Sequence, residues 1–228
     1  MRSVIFPGFA AAVMLFAAPA IAQLDQITSR EAVAGLKAAL EKGSQAAVAA
    51  LGRVDGFFGN PQVKIPLPES LQRTERLMRR VGMAKYADEL ILTLNRAAES
   101  AVPGARQLLL DSVRKMTVQD AKGILSGGDT AATEYFRRTT QDALRKRFLP
   151  IVKQATSRVE LAEKYNEYAD TAVAFGLVKK DDANLDDYVT QKALDGLFFM
   201  VAEEEKAIRK DPVGSASAIL RKVFGALR

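Results

Sequence analysis

Cysteine, histidine and tryptophan are all absent from the chain. Without cysteine there is no disulfide brace, so packing alone must hold the fold. No Ser-His-Asp triad, thiolate nucleophile or imidazole base can be assembled. Zinc and copper sites built on imidazole or thiolate are excluded as well. The chemistry that remains belongs to carboxylates, Lys, Tyr, Ser and Thr, or to a hard cation held by oxygens. The missing tryptophan also weighs against a glycosidase, which stacks sugars on aromatic rings and needs two acids roughly 5–9.5 Å apart across a cleft. These absences point away from an enzyme and call for no cofactor and no metal.

Long apolar runs are scarce. The one that stands out, Val4 to Ala18, follows Arg2 and precedes Pro19 and the small-x-small triplet Ala20-Ile21-Ala22. It is shorter than the roughly 20 residues that a membrane span needs. The pattern is that of a secretory signal peptide over residues 1–22, cleaved after Ala22. The expected product is a periplasmic chain over residues 23–228 with no transmembrane span. Taking 22 residues from 228 leaves 206, enough for a single domain with a real core.

Strong charge of one sign is also lacking. The whole chain has 33 Lys and Arg against 27 Asp and Glu, a net charge of +6. That balance is too mild for a nucleic-acid binder. It fits an anionic envelope partner, such as a lipid headgroup or a polyanionic glycan, or simply a soluble surface.

What is present is helical periodicity, with no sustained alternation of strand type. Thr28 and Glu31 form a capping box that opens a first helix with the seam Val33, Leu36, Leu40, Gly43 and Ala47. The loop VDGFFGNPQVKIPLP (54–68) follows, then a helix from Pro68 to Arg80 stopped by Gly82. Leu90, Ile91, Leu94 and Ala98 mark the next helix, which Pro103-Gly104 kinks or divides. Thr117 and Asp120 open a short helix ended by Gly127, and another begins at Asp129 or Thr130 and is broken or bent at Pro150. Further helices are expected over 156–176, from Asn184 or Asp186 to Lys210, and over the basic amphipathic tail 213–228. The fold class is therefore all-α, a single-domain orthogonal or bundle-like array of about eight helices.

The most site-like stretch is ILSGGDTAATEYF (124–136). It fails as a phosphate loop, because a helix and not a strand precedes it, no Lys follows the glycines, and Asp129 repels an anion. The structural reading is a joint in which Gly127 takes a left-handed cap and Asp129 or Thr130 caps the next helix. A helix N-terminus also attracts anions, so Thr130 and Tyr135 are candidate ligand contacts. The acidic turn Asp181, Asp182, Asn184, Asp186 and Asp187 matches half of an EF-hand loop. It lacks the central Gly and has Ala193 at the twelfth position, so helix capping is the better account.

Basic residues crowd the second helix, where Arg76 and Arg80 share a face. Phe57, Phe58, Ile65 and Leu67 on the preceding loop either plug a gap between helices or form the lip of a groove. With Arg76 and Arg80 beside them, such a groove suits an amphipathic anion such as a lipid. Two other readings remain open. One is a carboxylate-dependent enzyme or divalent-cation site around Asp120, Asp129 and Glu134. The other is a structural envelope protein that meets protein partners through its tail.

VKIPLPESLQ (63–72), LNRAAESAVPGA (94–105), MTVQDAKGILSGGDTAATEYF (116–136), LDDYVTQKALDGLF (185–198) and EEEKAIRKDP (203–212) occur in one order along the chain. Together they resemble the exported bacterial domain-of-unknown-function 4197 family. The resemblance implies a helical, envelope-associated protein. It supplies no catalytic residues, and many members look like lipoproteins, whereas this chain has no lipobox cysteine.

Overall fold

A computed structural model of the chain describes residues 29–159, 162, 165 and 184–210. Residues 1–22, expected to be a signal peptide, Thr28, most of the helix expected over 156–176, Asp181, Asp182 and the tail 213–228 lie outside the described residues. Every regular element among the described residues is helical, so the class is all-α. Seven α-helices and one 3-10 turn are described, against about eight helices expected. They are α1 (Ser29–Leu51), α2 (Glu69–Arg80), α3 (Ala84–Ala101), the turn Val102–Gly104, α4 (Ala105–Lys115), α5 (Val118–Ser126), α6 (Ala131–Thr156) and α7 (Leu185–Lys210).

The two 26-residue helices, α6 and α7, pack against each other more extensively than any other described pair. The side chains Phe136, Leu144, Phe148 and Val152 of α6 lie at spacings of eight, four and four residues, on one helix face, and are fully buried. α3 and α4 lie on α6, and α1 packs on α4 and α7. Small residues set the α1–α7 approach. Gly43 is buried, and a side chain there would come within 3.3 Å of Ile208.

Punctuation follows the sequence in most places. Pro103-Gly104 falls in the 3-10 turn that separates α3 from α4. Gly82 takes φ +80°, the left-handed conformation that ends the α2 segment. Thr117 and Asp120 form a reciprocal capping box at the start of α5. At Pro150, where a break or a bend is expected, the helix is not broken, and α6 runs through to Thr156. Proline cannot donate to the carbonyl of Lys146, but both residues are exposed, so water can take that carbonyl. Buried Phe148 and Val152 on the other face keep the helix docked.

Candidate functional site

The α5–α6 joint is built differently from its sequence reading. Gly127 has φ −84° and ψ 176°, an extended conformation and not a left-handed cap. Its small size is needed for room: a β-carbon there would stand 2.6 Å from Ala131 Cβ and 2.7 Å from the Gly123 carbonyl oxygen. The Thr130 side chain makes no cap bond to α6. The capping group comes from α7. Glu205 accepts the amide of Ala132 at 2.9 Å, and the amide and hydroxyl of Thr133 at 2.9 Å each. The helix N-terminus that suggested an external anion therefore already holds an internal one.

Arg209 completes this arrangement. It donates to Glu205 at 2.8 and 3.1 Å and to the Ile124 carbonyl, at the end of α5, at 2.9 Å. The pair sits at the i,i+4 spacing expected of a surface salt bridge, yet its side chains are only 5% and 15% exposed. It is an internal clip joining α5, α6 and α7.

Thr130 and Tyr135 line a hollow of about 380 Å3, with Asp120, Glu134 and Arg138 also on its wall. Gly123 and Gly128 leave it open, since a β-carbon at either would meet nothing within 4 Å. Tyr135 is itself buried and donates its hydroxyl to the Ser112 carbonyl at 2.9 Å. The hydroxyl of Thr117, then its amide, holds the Asp120 carboxyl below the usual carboxylate range, and Arg138 adds to the effect. Asp120 and Glu134 thus share one hollow, whereas Asp129 is not on its wall. Among the described residues, no group of three or more Asp and Glu stands where it could hold a metal ion.

Of the four apolar residues read as a groove lip, Phe57, Ile65 and Leu67 are 0%, 1% and 3% exposed. They plug the core. Asn95, fully buried, accepts the Ile65 amide at 2.8 Å and donates to the Ile65 carbonyl at 2.9 Å, pairing with that residue as a strand would. Glu99 accepts the amides of Phe57 and Phe58 at 3.0 and 3.1 Å. Gly196 on α7 makes space for Phe57, whose ring would lie 2.6 Å from a β-carbon there. Phe58 is half-buried, with the Lys64 ammonium 4.1 Å above its ring.

In the acidic turn, Asn184 accepts the amides of Asp186 and Asp187 at 2.9 and 3.1 Å, which is a cap on α7. Asp186 is buried against the Thr156 hydroxyl, and Asp187 pairs with Arg145 at 2.8 Å.

Arg76 and Arg80 stand apart from the buried loop residues. They lie on α2, which has no buried residue and packs on α3. Spacings of three, four and seven put Arg73, Arg76, Leu77 and Arg80 on one outward face. Arg79 is occupied, pairing with Asp88 at 2.6 Å and Glu75 at 3.0 Å. Arg73, Arg76 and Arg80 make no ion pair among the described residues. Beside them, Leu77, Val81, Met83 and Tyr86 are between 45% and 61% exposed. These four were missed in the sequence. Four of the seven exposed large apolar residues among the described ones thus fall in a ten-residue window. The signal was the helix ESLQRTERLMRR itself, too basic to supply a broad apolar stripe to the core.

Among known families, the one described as "Protein of unknown function (DUF4197)" matches residues 26–225. No curated protein and no solved structure matches.

Proposed function

The chain belongs to the DUF4197 family, whose function is unknown, and we propose that it is a non-enzymatic periplasmic protein that binds an amphipathic anionic component of the cell envelope. One observation carries this reading. Three arginines with no acidic partner among the described residues share a helix face with exposed Leu77, next to Val81. Guanidinium groups left without carboxylates suit phosphate or carboxylate oxygens, and the adjoining apolar side chains suit the other half of an amphiphile. The binding element is an open helix face and not an enclosed groove, because Phe57, Ile65 and Leu67 are spent in the core. The location rests on the signal-peptide pattern of residues 1–22. Among the described residues, no helix is long and apolar enough to cross a membrane.

The test uses protein recovered from cells that express the full chain. Its binding to phosphatidylglycerol vesicles, anionic detergent micelles and inorganic polyphosphate is compared with that of an Arg76→Gln/Arg80→Gln variant. Binding to at least one anion, weakened in the variant, is the expected result. No binding to any of them, or binding that the substitutions leave unchanged, sinks the reading.

A second reading, a carboxylate-dependent activity or a cation site, has one observation in its favour: Asp120 and Glu134 open on the same hollow beside Arg138. Calorimetry with calcium and magnesium tests it. A heat of binding that disappears in Glu134→Gln supports this reading, and no heat with either ion counts against it.

A further inference from the structure

We infer that the α2–α3 hairpin enters the headgroup layer of an anionic bilayer turn first. Val81, Met83 and Tyr86 would reach the acyl boundary, with Arg76 and Arg80 on the phosphates behind them. This rests on the reading that the protein binds an anionic amphiphile, and it names that partner as a lipid surface.

The placement of the apolar residues is the first argument. Val81 and Met83 flank Gly82 in the turn itself, Leu77 lies one helical turn before Val81, and Tyr86 is in the first turn of the next helix. None of the four contributes to the core, and α2 has no buried residue at all. α2 touches the core through half-buried Leu71, but Leu77 and the apolar side chains of the turn stay in water at a free-energy cost, unless something outside covers them. A free anion in solution would need the arginines but not these side chains.

The second argument is charge. Arg73, Arg76 and Arg80 face outward with no acidic partner among the described residues. An anionic surface complements them, whereas a second copy of the same face would oppose three arginines with three more. The third argument is size and shape. At 12 residues α2 is too short to span a bilayer, but an amphipathic helix needs to sink only about 5–10 Å into the boundary to cover its apolar side. Tyrosine suits that depth because its ring is apolar and its hydroxyl remains wet. The turn offers no bulk in the way: Gly82 has no neighbour within 4 Å of the place where a side chain would start.

The absence of tryptophan makes the test direct. A single tryptophan is placed at the turn by Met83→Trp and, in a separate protein, at the remote exposed position Val118→Trp. Each is recovered from cells expressing the full chain. Each is mixed with vesicles of phosphatidylglycerol and phosphatidylethanolamine, with phosphatidylcholine vesicles, and with inorganic polyphosphate. With the anionic vesicles, the Met83→Trp probe should shift to the blue and be quenched by brominated acyl chains, while the Val118→Trp probe should do neither. Adding Arg76→Gln/Arg80→Gln should weaken partitioning by roughly 25-fold, at about fivefold per arginine. Circular dichroism of every variant checks that the fold is retained.

A Met83→Trp probe that stays in water while the protein still binds polyphosphate or vesicles overturns the hairpin insertion but leaves the anion-binding reading standing. An equal shift at both probes also overturns the hairpin assignment. No binding to any of the three probes overturns both.

Discussion

The amide and the hydroxyl of Thr133 both donate to one carboxylate oxygen of Glu205, each at 2.9 Å. The other oxygen takes the Ala132 amide and the Arg209 guanidinium. A single buried carboxylate thus satisfies two of the amides that α6 leaves without helical partners. Replacing Glu205 with Ala strips those partners and removes the carboxylate that Arg209, only 15% exposed, pairs with. The expected loss is about 3–5 kcal/mol in urea unfolding followed by circular dichroism. Glu205→Gln can still accept hydrogen bonds and should lose less. Equal losses would mean that the missing negative charge, and not cavity formation, is the cause, because glutamine keeps the volume of glutamate.

Asn95 offers a second test of the same principle. It serves both the amide and the carbonyl of Ile65 from a fully buried position. Asn95→Ala should cost about 2–4 kcal/mol, because two buried backbone groups lose their partner at once. Increased amide exchange at Ile65 should accompany the loss. Unchanged protection of that amide would show that the loop is held by other contacts.

Two glycines should respond with opposite signs. At Gly196 a methyl group would press on the buried Phe57 ring, so Gly196→Ala should destabilise by about 1–3 kcal/mol in thermal melts. At Gly123 a methyl group meets nothing within 4 Å in the interior of α5. Gly123→Ala should therefore stabilise by about 0.5–1 kcal/mol through helix propensity.

Asp120 links stability to acid. Its pKa in the folded chain lies below the ordinary value, first through the Thr117 hydroxyl and then through the Thr117 amide. A depressed carboxylate contributes stability that is fully present above its unfolded pKa, about 4, and is lost as pH falls through its folded pKa. In a comparison of unfolding at pH 5 and in the acid range below 4, the native chain should lose more stability than Asp120→Asn. Parallel acid profiles for the two proteins would refute the link. Thr117→Ala should lose about 1 kcal/mol at neutral pH, the usual cost of an N-cap.

Much of the fold was legible from local rules. The Thr117–Asp120 box, the Pro103-Gly104 break and the Gly82 stop depend on residues close in sequence, so they can be read there. Pro150 does not break α6, because it and Lys146 are exposed, so water can take the carbonyl left unpaired, and buried Phe148 and Val152 hold the other face. The loop residues Phe57, Ile65 and Leu67 were read with two outcomes open. The choice depended on Gly196 and Asn95, which lie 139 and 30 residues away from Phe57 and Ile65. The role of Glu205 was hidden for the same reason, since its partners are more than 70 residues distant.

By itself, the sequence determined the helical class, the family and the chemistry that histidine and cysteine cannot perform here. Periodicity, capping and composition are local or additive properties, so a linear reading captures them. Tertiary packing decided which charges are spent inside and which remain available. Glu205 and Arg209 look like a surface pair, yet Glu205 is buried and Arg209 largely so, because α5 and α6 present unpaired backbone groups at that point. Arg76 and Arg80 also sit four residues apart, yet they face water without a partner among the described residues, because α2 packs on α3 through its other side. The spacing along the chain is identical, and only the neighbours brought by the fold separate a structural clip from a surface open to a partner.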